Sequence, residues 1–155
     1  MAAPLHALDV DYRRHPELYR VGRGEQGVFR VHPYKDELLP LWRFKTPDEA
    51  RASAAAIRAK YDEYKRTGEF VGMDVARKYL QMGYTRATRY ARHTGGRKYA
   101  ADGIVLPRTA ADPVKAASAA IFREALDAVL ADPDYVRMKE EHQRRQARGS
   151  GERGA

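Results

Sequence analysis

Three times in this chain a helix-capping side chain stands directly before a proline: Thr46-Pro47, Asp112-Pro113 and Asp132-Pro133. A Thr or Asp oxygen there can accept from the orphan N–H groups of a first helical turn. Proline supplies the right φ at the first helical position and loses no hydrogen bond. The three pairs therefore predict helix starts. The first is strengthened by Glu49, three residues after the cap. From it, Ala50, Ala54, Ile57, Tyr61 and Tyr64 recur at helical spacing until Gly68. From the second, Val114, Ala117, Ile121, Ala125 and Val129 hold one face. The third opens a helix through Tyr135, Val136 and Met138.

Another helix is expected from about Gly72, after Phe70 and Val71 plug into the core, and it carries the charge of the protein. Residues 75–101 hold seven Lys or Arg and no Asp or Glu, in a chain whose net charge is +8. On a helical wheel Ala76, Leu80, Gly83, Ala87 and Tyr90 fall on one narrow face. Lys78, Arg86, Arg89, Arg92 and His93 fall on the opposite arc, and Gly95-Gly96 is expected to end the helix. Concentrated positive charge draws polyanions. Lys78, Arg86, Arg89, Arg92, Arg97 and Lys98 are therefore candidate phosphate contacts for DNA or RNA. A solvated basic face on an ordinary amphipathic helix is the plainer reading of the same residues.

The N-terminal third reads differently. Leu18 to Val21 and Val28 to Val31 are β-prone runs joined by a Gly-rich stretch, Gly22 to Gly27, as in a hairpin. Leu41 to Phe44 is a third such run. The expected fold is α+β, a small N-terminal antiparallel sheet packed against three or four helices. Within Trp42-Arg43-Phe44-Lys45 the aromatic and basic residues alternate, so on an extended segment they face opposite ways. The aromatics are read either as core or as a stacking platform beside a basic groove, the device of single-strand binders.

Other chemistry is thin. Gly22-x-Gly24-x-x-Gly27 matches a dinucleotide fingerprint by letter, but a strand-like run follows it where a helix is required. With His15 and Lys35, its tip residues Arg23, Glu25 and Gln26 form a candidate ligand loop. They support the alternative reading, an enzyme or ligand-binding protein for a nucleotide or phosphorylated substrate held between that loop and the basic helix. No catalytic residue is identified. A third reading is a module for an acidic protein partner. The five histidines have no metal-ligand spacing, and the absence of cysteine excludes disulfides, thiolate metal sites and thiol nucleophiles. No cofactor or metal is expected. Nor is a secretory signal or a membrane span, and the expected home is cytoplasmic. Oligomeric state is not legible. Residues 1–8 read as a lead-in, 9–142 as one globular domain and 143–155 as a disordered basic tail.

The runs HPELYRVGRGEQGVF (15–29), PYKDELLPLWRFKTP (33–47) and FVGMDVARKYLQMGYTRATRYARH (70–93) resemble a catalogued family of unknown function from bacteria, their phages and some eukaryotes. The resemblance spans roughly residues 9–142. It implies a compact intracellular domain and brings no activity, cofactor or catalytic residue with it.

Overall fold

All three cap–proline pairs start helices. The structure is a computed structural model that describes residues 9–22, 28–92 and 112–154, with side chains to residue 148. Its helices are α1 (Tyr34–Leu38), α2 (Pro47–Arg66), α3 (Phe70–Arg92), α4 (Pro113–Leu130) and α5 (Pro133–Gly154). Short 3-10 turns lie at Pro16–Leu18 and Leu39–Leu41. Thr46 Oγ1 accepts from Glu49 N at 3.1 Å. Asp112 Oδ1 accepts from Val114 N at 2.9 Å and Asp132 Oδ1 from Asp134 N at 3.0 Å. Gly68, at φ +73°, turns the chain from α2 into α3, a conformation that glycine adopts without a Cβ penalty.

The expected α+β fold is corrected: the described residues are all-helical, with no strand or sheet. Extended pairing is limited to one parallel bridge between Asp11 and His32. The β-prone runs are short and flanked by Pro16, Pro33 and Pro40, none of which can donate to a ladder that would extend them. Two of these prolines sit inside the 3-10 turns. The aromatic and branched residues between them find cover on helices instead: Tyr19, Val28, Val31, Tyr34 and Leu38 are all buried in the common core. β-propensity reports a preference for a half-buried surface, and here helices supply it. Past Gln143, where the chain was expected to fray, α5 runs on to Gly154. His142 and Gln146 on its inner face both donate to the Tyr19 carbonyl, the former at 2.6 Å.

Helix α3 is the centre of the molecule. Every residue from Phe70 to Leu80 is buried, so this stretch is covered on all sides rather than on one stripe. α2 and α4 pack on one side, while Tyr19, Phe29, Trp42 and Tyr135 cover the other. Two glycines set how closely these layers meet. A Cβ on Gly72 would stand 2.6 Å from the Tyr64 ring, and one on Gly83 would stand 2.6 Å from the Phe122 ring.

Gly83→Ala should therefore lower stability despite its better helix propensity. Overpacking of this kind costs about 1–3 kcal/mol, against a propensity gain of about 1 kcal/mol. Urea unfolding of the variant should show a lower midpoint; an unchanged or higher one would show that Phe122 moves aside freely.

Candidate functional site

The six residues expected to contact phosphate do not share one environment. Arg86, Arg89 and Arg92 are exposed on the last turns of α3. Arg97 and Lys98 lie outside the described residues. Lys78 is fully buried, contrary to its expected place on a solvent-facing arc. The wheel put it opposite the core because it assumed one covered face. At this level of α3 the N-terminal segment and α5 cover the second face as well.

Burial of Lys78 is tolerated within a network. Its ammonium lies 5.3 Å from the centre of the Tyr19 ring. One turn earlier, Asp74 is wholly buried and accepts from four donors on three elements. These are the hydroxyl of Tyr19, the hydroxyl of Tyr135 at 2.6 Å, and the guanidinium of Arg77 at 2.9 and 3.2 Å. Arg77 also donates to Gln81 Oε1 at 2.8 Å. Burial alone would push the Asp74 carboxyl up. The Arg77 charge and the two hydroxyls outweigh it and hold the carboxyl below its ordinary range. For Lys78 burial wins over the attraction of Asp74, and its pKa is lowered to about 8.

The exposed end of α3 builds something different. Residues 42–45 run alongside it, although no sheet holds them. The expected facing of aromatics one way and cations the other is not kept, because Arg43, Phe44 and Lys45 line one cleft. Trp42 packs on Tyr79 at 6.0 Å between centroids, and Phe44 packs on Trp42 at 5.0 Å. Phe44 then meets Tyr90 at 6.2 Å, with the rings tilted by 39°. The Arg86 guanidinium lies over Trp42 at 5.5 Å. Lys115, in the first turn of α4, reaches across to donate to the Lys45 carbonyl at 2.7 Å, and lies 6.0 Å from the Tyr90 ring centre. Between them is a cleft of about 450 Å³ lined by Arg43, Phe44, Lys45, Glu49, Tyr90 and Lys115. Three of the six lining residues are cations, two are aromatic and Glu49 is the single acid. Tyr90, placed by the wheel on the inward face, is 41% exposed; among the described residues, this segment and the start of α4 are what reach that far along α3.

Of the candidate ligand loop, His15 and Lys35 are described. His15 pairs with Glu17 at 3.3 Å and Lys35 with Asp36 at 3.8 Å, and neither lines the cleft. Arg23, Glu25 and Gln26 lie outside the described residues. Among the described residues no group of three or more His, Asp or Glu could hold a metal ion. No helix among them is long and apolar enough to cross a membrane. Sequence reasoning missed Glu49 and Lys115 as cleft residues. Their only sequence signal was a place in the first turn after a helix cap, which says nothing of what lies opposite.

The buried lysine has a measurable consequence. Between about pH 8 and the ordinary lysine value, the native state holds fewer protons than the unfolded state, so stability rises with pH. Buried tyrosines oppose this only from about pH 10, where the unfolded chain begins to lose phenolic protons. The urea midpoint should therefore rise from pH 7 to pH 9, and Lys78→Met should remove that rise. A wild-type midpoint that is flat or falling over this interval would contradict the assignment.

No curated protein and no solved structure matches the chain. A family does. Residues 3–145 match a domain of unknown function (DUF4385), nearly the full length, and the chain belongs to that family.

Proposed function

We propose that the protein binds single-stranded nucleic acid at the cleft between residues 42–45, the end of α3 and the start of α4, without catalysis. The observation that supports this is the row of rings, Trp42, Phe44 and Tyr90, set among cations from three separate elements. Bases stack on such rings whatever their identity, and cations on either side meet the phosphates. Arg43, Lys45 and Lys115 stand in the cleft, and Arg86 and Arg89 project beside it from α3. Arg92 is exposed on the last turn of α3, next in line after Arg89. Lys78 has no part, because a buried ammonium does not reach a phosphate.

The exposed Tyr90 ring, with the half-buried Phe44 beside it, favours a single strand over a duplex, whose bases are already stacked on one another. An intracellular protein of bacteria, their phages or eukaryotes, as the resemblance implies, would meet such strands routinely. The rival reading, a nucleotide or phosphometabolite site between the Gly-rich loop and the basic helix, draws no support from this cleft, which neither His15 nor Lys35 lines.

Binding of labelled single strands should weaken with salt. Four or five phosphate contacts give a slope of log affinity on log salt of about −3. Tyr90→Ala should cost about 1–3 kcal/mol of affinity with that slope unchanged. The triple variant Arg86/Arg89/Arg92→Ala should flatten it. Absence of binding to single-stranded DNA and RNA at low salt would overturn the proposal.

A further inference from the structure

Glu49 is out of place in a cleft that attracts phosphates. Its backbone N–H completes the Thr46 cap, but its carboxylate does not return the bond to the Thr46 N–H as a reciprocal capping pair would. Nor does it form an ion pair among the described residues, although Arg43, Lys45 and Lys115 line the same cleft. One candidate partner is already engaged: the Lys115 ammonium donates to the Lys45 carbonyl and lies against the Tyr90 ring. An unpaired carboxylate therefore lines the same space as the two aromatic faces on which a base would stack.

We infer that Glu49 makes this cleft selective for guanine. This rests on the reading of the cleft as a single-strand site. An ionised carboxylate is acceptor-only, with two parallel oxygens. Guanine alone among the common bases presents two adjacent donors on its Watson–Crick edge, the N1–H and the 2-amino group. Adenine and cytosine each set one donor beside a ring nitrogen acceptor. Uracil and thymine flank one N–H with two carbonyls. With a base stacked on the exposed face of Tyr90, guanine completes both bonds, and every other base turns a lone pair toward the carboxylate. Stacking supplies sequence-tolerant affinity, and Glu49 supplies the discrimination.

The test uses short single strands of thymine carrying one central guanine, hypoxanthine, adenine or cytosine, bound to wild type and to Glu49→Gln. Wild type should bind the guanine strand about tenfold more tightly than the adenine or cytosine strand, as one bidentate pair allows. Hypoxanthine, which lacks the 2-amino group, should lose most of that advantage. Glu49→Gln should bind the all-thymine strand at least as well as wild type, because a negative charge has gone, and should no longer prefer guanine. Wild type that binds all four strands alike would overturn the inference and leave the single-strand reading standing. So would a variant that keeps the preference. Binding to no strand, all-thymine included, would overturn both.

Discussion

The buried carboxylate of Asp74 is the constraint on which the rest of the structure turns. Among the described helices only α3 has a stretch covered on all sides, Phe70 to Leu80, and that stretch carries two cations, Arg77 and Lys78. Asp74 is the sole acid within that stretch. Left unpaired, a buried charge costs several kcal/mol even after relaxation. Asp74 escapes this by collecting Arg77, the Tyr19 hydroxyl and the Tyr135 hydroxyl. Those bonds join segments far apart in sequence. The N-terminal segment, α3 and α5 can assemble only in the register that completes them.

That register has consequences at both ends of α3. At the start, Arg13 bridges Glu37 of α1 and Glu69, and the hydroxyls of Tyr34 and Tyr64 donate to the same two carboxylates. The N-terminal segment is thereby fixed across α1 and α2. Residues 42–45 leave this anchored region and travel along α3 toward its far end. There, α3 outruns its cover: Ala87 and Ala91 remain buried while Arg86, Arg89, Tyr90 and Arg92 emerge. The Asp112 N–H donates to the Ala91 carbonyl at 3.0 Å, so the start of α4 meets the end of α3. The cleft is the place where these three strips of chain converge. A satisfied polar core at one end of the helix thus sets the position of an accessible group of rings and cations at the other.

What could be read from the sequence was local. The starts of α2, α4 and α5 depend on a cap and a proline adjacent to it, and all three were legible. So was the turn at Gly68. Of the pattern Trp42, Arg43, Phe44 and Lys45, only the difference in exposure was legible, the cations being more exposed than the rings. That Arg43, Phe44 and Lys45 share one cleft was not, and the sheet expected around them is absent from the described residues. Lys78 was misplaced because its cover comes from Tyr19 and from α5, more than fifty residues away in each direction. The wheel that oriented α3 held for Ala76, Leu80, Gly83 and Ala87, which face α2 and α4, and failed for Tyr90, where the cover ends. Glu49 and Lys115 became site residues only when α2 and α4 were brought side by side. No pattern within either helix encodes that meeting.

Trp42 is the only tryptophan in the chain, and it sits beneath Phe44 and the Arg86 guanidinium. Its fluorescence is therefore the most direct report on the cleft. Titration with a short single strand at low salt should change the emission saturably, and added salt should reverse the change; an equal length of duplex should leave it nearly unaltered. Saturable binding seen by a label on the strand, with Trp42 emission unmoved, would place the nucleic acid elsewhere on the protein and contradict the account.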